Sequence, residues 1–290
     1  MVIIKIAGGL GNQMFQYALG RALLARGRDV LLDCSGFDSQ AQGDTKRKYE
    51  LDKFDIRIKQ ASPEDKAKFC NGKQYLYYYL GRLIKKDISR IVLEKEHCYL
   101  PEIAECDNKY LVGYWQTEKY FKPFRKELLN DFSFQNLTLS HQNEKLRDDI
   151  LSMENAVGVH IRGGDYNTAG NVSIYGNICD YEYYRKAFEY IEKAVGNVKY
   201  YVFTNDSEWA KKMIPCKKDN IEIVDWNSEE DGWMDMYMMS ICRHNIIANS
   251  SFSWWAAWLN QNTDKIVIAP KRWQNGSDIA NIVPDDWVRM

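Results

Sequence analysis

Short β-branched runs alternate with amphipathic stretches along most of the chain. Residues 2–6 read as a buried strand, and 14–26 place Phe15, Ala18, Leu19, Ala22 and Leu23 at helical spacing. Residues 30–33 and 110–115 read as further strands. Residues 131–149 are then polar, with few large apolar side chains before Leu146 and Ile150. That shift in composition predicts a domain boundary, giving domains over 1–150 and 151–290. Beyond it the alternation restarts, with strands over 157–161, 200–203, 221–224, 246–248 and 266–269. Helices are expected over 180–195 and 234–242. Strands separated by helices predict an α/β fold built on parallel sheets.

In such sheets ligands bind beyond the carboxyl ends of the strands, so polar residues just after a strand are the candidates for chemistry. The strand over 157–161 carries His160 and runs into Arg162, Gly163, Gly164 and Asp165. A guanidinium fork suits a diphosphate, although a loop in which Arg162 and Asp165 simply pair fits the same residues. The strand over 200–203 ends in Thr204, Asn205, Asp206 and Ser207, of which either Asp206 or Ser207 could cap a following helix. The strand over 246–248 ends in Asn249, Ser250, Ser251, Phe252 and Ser253 ahead of an apolar helix. Small hydroxyl residues opening a helix suit an anion, and they equally suit a serine cap with no ligand. The three polar ends would line one sheet edge, which makes the second half the expected nucleotide-binding unit.

The first half is less decided. Gly8, Gly9 and Gly11 form part of a dinucleotide fingerprint after the first strand, but Met14 holds the third glycine position. Asp33 stands near the place of a ribose-binding acid. Asn12 and Gln13 offer amides that could cap the helix or meet a ligand. Trp115, Gln116 and Glu118 follow a strand and suit a sugar site or a structural turn.

Composition narrows the classes. The net charge of −1 supplies no basic field for nucleic acid or anionic lipid. The 9 Trp and 19 Tyr suit thick cores and also sugar sites, where a ring covers one sugar face. Seven scattered cysteines, an odd number with no C-x-x-C pair, indicate neither a zinc site nor a disulfide framework. Reduced thiols, a strand at residues 2–6 with no leader before it, and no apolar run of spanning length place the expected protein in the cytoplasm. Peripheral attachment at the inner face of the membrane is the variant of that expectation.

Five blocks carry a family resemblance. Gly8-Gly9-Leu10-Gly11-Asn12-Gln13-Met14-Phe15-Gln16-Tyr17-Ala18 resembles the N-terminal signature of the bacterial α-1,2-fucosyltransferases, glycosyltransferase family 11. Gly113-Tyr114-Trp115-Gln116-Thr117-Glu118-Lys119-Tyr120-Phe121 resembles their second block. His160-Ile161-Arg162-Gly163-Gly164-Asp165-Tyr166 is similar to their His-x-Arg-Arg-Gly-Asp-Tyr motif, and residues 203–206 and 249–255 resemble the last two. The blocks are collinear and cover nearly the whole chain.

The resemblance implies two Rossmann-like domains facing across a cleft, the GT-B type, with the acceptor on the N-terminal side. It implies transfer of L-fucose from GDP-L-fucose to the 2-hydroxyl of a terminal β-galactoside, with inversion and with no metal or other cofactor. The absence of an Asp-x-Asp motif agrees with the last point. By resemblance the donor falls to His160, Arg162, Asn205, Asp206, Asn249, Ser250, Ser251 and Phe252, and the acceptor to Gln13, Trp115, Gln116 and Glu118. Arg162, Asp165 and Asn12 are the candidate catalytic set, with Asp165 as base or loop anchor, while Glu118, His160 or the departing phosphate could take the acceptor proton instead. Gly163 departs from the motif by replacing its second arginine, which removes one guanidinium from the donor side. Two alternatives remain at this point, a dinucleotide-dependent oxidoreductase and a non-catalytic sugar-binding protein on the same fold.

Overall fold

The computed structural model describes residues 1–37, 47–73, 76, 80, 89–94, 98–134, 138–163, 172–215, 219–276 and 281–290. Strand β1 (Val2–Lys5) leads into helix α1 (Leu10–Ala25) and back to β2 (Val30–Asp33), parallel to β1 with Val2 opposite Val30. Strands β3 (Ile91–Leu93) and β4 (Tyr110–Val112) complete a parallel sheet in the order β2-β1-β4-β3. Residues 113–115, expected to continue the strand, leave the ladder, and Trp115 takes a φ of +55°. Helix α1 starts earlier than the periodicity predicts and is buried on almost every side, as a helix enclosed by its own unit must be. Against another part of the sheet, Ile3, Ile91 and Tyr110 pack with Phe69.

Chain contacts divide the protein into Met1–Gln135 and Asn136–Met290. The division precedes the break expected at 150, and the reason is a helix that the polar stretch concealed. Helix α2 (His141–Ser152) buries only Asn143, Leu146 and Ile150. Asn143 Nδ2 donates to Asn227 Oδ1 at 2.8 Å, tying α2 to the rest of the second unit beside the buried Leu146 and Ile150.

The second unit carries β5 (Ala156–Ile161), β6 (Lys199–Thr204), β7 (Ile221–Val224), β8 (His244–Ile246), β9 (Val267–Ala269) and β10 (Val288–Arg289). Their order is β10-β9-β8-β5-β6-β7, and all the pairings are parallel. Every residue of β5 is buried, the mark of a central strand covered on both faces. Helix α3 (Tyr181–Val195) turns Tyr183, Tyr184, Ala187, Phe188 and Ile191 onto Val157, Val159, Ile161, Tyr200 and Val202. Asp180 caps it by accepting the Tyr183 N–H at 2.9 Å, and Gly196 ends it at a φ of +79°. Helices α4 (Ser207–Met213), α5 (Gly232–Ile241) and α6 (Ser251–Leu259) complete the elements that matter for the site.

Each sheet contains a point where successive connections leave in opposite directions. In the first it lies between β1 and β4, and in the second between β5 and β8. A crevice opens at the carboxyl ends of strands at such points. The aromatic cluster predicted near 75–80 has residues 75 and 77–79 outside the described set. Among the described residues no helix is long and apolar enough to cross a membrane.

Candidate functional site

At the β1/β4 switch point two sequence blocks about a hundred residues apart meet. Gln116 Nε2 donates to Asn12 Oδ1 at 2.7 Å. Gln16, one turn further along α1, accepts the Ala7 N–H at 2.9 Å and donates to Gly113 O at 2.9 Å. The Phe15 and Phe121 rings pack 6.0 Å apart behind them. Gly8 has a φ of +80°, and a Cβ there would lie 2.6 Å from Asn12 Nδ2, so both conformation and space require glycine. Gly9 precedes α1 with no side-chain cap, and the first turn carries no acid.

The remaining predicted residues of this half are placed differently. Gln13 is fully buried. Its Nε2 donates to Gly8 O at 2.9 Å and Lys48 O at 2.7 Å, and its Oε1 accepts the Glu50 N–H at 2.9 Å. It is a backbone clamp, with no amide group left over for an acceptor. Trp115 is also fully buried and sits edge-on to Tyr120 at 6.2 Å, so it offers no face to a sugar. Its neighbour Tyr114 is exposed. Glu118 is buried and accepts from Lys122 Nζ at 2.7 Å. Asp33 accepts from the Tyr110 hydroxyl at 2.5 Å and pairs with Lys66 at 3.0 Å. Burial would raise its pKa, but the Tyr110, Ser35 and Lys66 donors win and hold it at about 2. That carboxylate belongs to the core and is not a ribose ligand.

One residue here carried no signal in the sequence. The Glu94 carboxylate, following β3, accepts the Tyr114 N–H at 2.6 Å and the Trp115 N–H at 3.1 Å. A Cβ on Gly113 would stand 2.4 Å from Glu94 Cβ, which explains the glycine. A non-glycine residue in the left-handed region costs about 1–2 kcal/mol, and the two charge-assisted bonds offset it.

In the second unit β5 lies between β8 and β6, so the three polar strand ends do line one edge. His160 is buried, and its Nδ1 has no hydrogen-bond partner. Burial and, secondarily, the Arg162 guanidinium push its pKa down to about 3, so the imidazole is neutral near pH 7. Its ring rests 5.4 Å from that of Phe252 in the first turn of α6, and the Tyr184 hydroxyl fixes its backbone through His160 O at 2.9 Å. Arg162, the first residue after β5, is half-buried. Ser250 begins α6 without a side-chain cap bond, so the plain serine-cap reading does not hold. Ser251 and Phe252 are half-buried, whereas Ser253 is buried and bonded to the backbone at Ser250 O, 3.3 Å.

Asn205, Asp206 and Asn249 each hold backbone in the structure. Asn205 Oδ1 accepts the Gly163 N–H at 3.0 Å. Asp206 caps α4 by accepting the Trp209 N–H at 3.0 Å. Asn249 is buried, and its Nδ2 donates to Tyr175 O and Trp273 O, both at 3.1 Å. A Cβ on Gly163 would lie 2.8 Å from Asp206 Cβ and 3.1 Å from Trp209 Cδ1, so this position has no room for the motif's second arginine. Asp165 lies outside the described residues.

A family model described as Glycosyl transferase family 11 matches residues 1–290. The chain belongs to that family. Over 98% of its length it is 32% identical to an O-antigen biosynthesis glycosyltransferase, WbnK, of Escherichia coli, covering 99% of that protein. Over 100% of its length it is 32% identical to an α-1,2-colitosyltransferase of Escherichia coli, again covering 99%. A crystal structure of NodZ α-1,6-fucosyltransferase soaked with GDP-fucose is 14% identical, with a TM-score of 0.47 over 89% of this chain and 92% of that one. The protein is therefore a glycosyltransferase, and the oxidoreductase and non-catalytic readings fall away. As its family implies, this transferase works on a nucleotide-sugar donor and an acceptor.

Proposed function

We propose that this glycosyltransferase moves L-fucose from GDP-L-fucose to the 2-hydroxyl of a terminal β-galactoside, with inversion. The observation that carries the donor side is the grouping of neutral His160, Arg162 and the uncapped start of α6 on one sheet edge. Arg162 and the helix N–H groups stabilise negative charge on the β-phosphate as the fucosyl bond breaks. The acceptor oxygen forms the new bond to the anomeric carbon while the electron pair of the old bond passes to the diphosphate. The hydroxyl proton goes to Asp165, since Glu118 is buried and held by Lys122. Asn12 binds a substrate oxygen, and Tyr114 supplies the aromatic surface for the sugar. Likeness to an α-1,2-transferring relative over the full chain supports the linkage.

That same relative motivates a second reading, in which the donor carries colitose, the 3-deoxy counterpart of fucose. No metal is required in either reading, because cationic and backbone donors take the leaving-group charge. GDP should raise the Tm by binding the native state, NAD should not, and EDTA should leave turnover intact. Stabilisation by NAD without GDP, or activity lost to EDTA and restored by manganese, would contradict the proposal.

A further inference from the structure

Asn12 is the one side chain of the first unit placed by resemblance in the chemistry and held by another candidate residue. An amide can present either its oxygen or its nitrogen outward, so whatever fixes its orientation fixes what it can do to a substrate. Gln116 donates through Nε2, which commits Asn12 Oδ1 to the protein and leaves Nδ2, beside Gly8, as the group of the amide that can donate to a ligand. Gln116 occupies that position because the preceding residue, Trp115, adopts a φ of +55° and redirects the chain out of β4. An L-residue does not hold that conformation without support. The support is Glu94, whose carboxylate accepts both the Tyr114 N–H at 2.6 Å and the Trp115 N–H at 3.1 Å. Gln16 secures the other side of the turn through Gly113 O at 2.9 Å.

We infer that Glu94 is a positioning residue for the transfer reaction. It acts through Trp115 and Gln116 to aim the Asn12 amide nitrogen at a substrate oxygen. This rests on the fucosyl-transfer reading only for the identity of that oxygen; the relay itself lies within the first unit. Successive backbone N–H groups form an anion-binding concavity, and here a side chain of the protein fills it. Glu94→Gln keeps an acceptor at this place but loses the charge, and Glu94→Ala loses both.

The test is a cycle of Glu94→Ala, Gln116→Ala and the double variant, with Glu94→Gln as the conservative control. Misplacing a substrate-positioning group by about an ångström costs up to roughly a hundred-fold in rate, so each single variant should lose between about ten- and a hundred-fold in kcat. KM for donor and acceptor should stay within about three-fold, because the contact strengthens in the transition state. The double variant should be no slower than the slower single one, and Glu94→Gln should recover most of the loss. Losses that multiply, or wild-type kcat in Glu94→Ala, would overturn the relay. A readout that needs no turnover separates this from the donor assignment. The Asn12 side-chain amide resonance, assigned with Asn12→Ala, should shift alike in Glu94→Ala and Gln116→Ala. A resonance that stays in place in both overturns the relay whatever sugar the enzyme takes. A shifted resonance in a protein inert toward GDP-fucose supports the relay and sinks only the donor.

Discussion

At the β1 turn every side-chain amide behind Asn12 is bonded, through Gln13, Gln16 and Gln116, whereas at the end of β5 His160 keeps an unpartnered nitrogen and after β8 Ser250 places no side-chain cap on α6. The glycines differ in the same sense. Gly8 is needed for its positive φ and for the Asn12 side chain, while Gly163 is needed because α4 packs against it. The first turn is a frame that presents one amide. The second is a cradle that groups a buried imidazole with an unpartnered nitrogen, the Arg162 guanidinium and an uncapped helix start, an arrangement suited to an anionic ligand. On the proposed reading the diphosphate belongs to the second unit and the orientation of an oxygen to the first.

Removing charge from the cradle should have the largest effect. Arg162→Ala should lower kcat by about two to three decades, the usual cost of deleting a donor to developing negative charge. Arg162→Lys should remain severely impaired because a point charge replaces the fork. Turnover by Arg162→Ala within about three-fold of wild type, measured in the same transfer assay, would end the contrast between frame and cradle.

Filling the second glycine comes next. Gly163→Ala should cost about 1–3 kcal/mol in urea unfolding, since its Cβ meets Asp206 and Trp209 inside normal contact. Gly163→Arg should be at least as unstable and should not tighten GDP binding. A neutral Gly163→Ala would show that α4 yields there.

The smallest effect reads the cradle's desolvation. His160 has a folded pKa of about 3, below its ordinary value near 6.5. Its contribution to stability is therefore present above pH 6.5 and is lost as pH falls toward 3, because the unfolded chain takes up the proton first. Burial raises Asp235 to about 7, and that group contributes with the opposite sign, so the comparison must be against a variant. From pH 7 to pH 5 wild type should lose up to about 2 kcal/mol relative to His160→Leu. Parallel curves would mean that the imidazole is hydrated.

Much of this arrangement was legible from strand ends. Parallel order brings residues after β5, β6 and β8 to one edge, so Arg162 and Ser250 could be placed without coordinates. Roles were harder to read than places. Asn205, Asp206, Asn249, Gln13 and Trp115 have the right chemistry, but only the contacts show that backbone, or the core, takes them up. Glu94 was invisible because an acid after a short strand reads as surface, and its partners are backbone N–H groups that any sequence would supply. Helix α2 was hidden for a related reason. It buries only two apolar side chains, Leu146 and Ile150, beside the polar contacts of Asn143 with Asn227 and Met234, too few for a clear hydrophobic period.

The central claim is tested most directly by incubating the protein with GDP-L-fucose and lactose and determining the product's mass and linkage. The account predicts lactose carrying one added deoxyhexose, α-linked to the 2-hydroxyl of galactose. No product from GDP-L-fucose, alongside a dideoxyhexose product from GDP-colitose or a linkage to another hydroxyl, would contradict it.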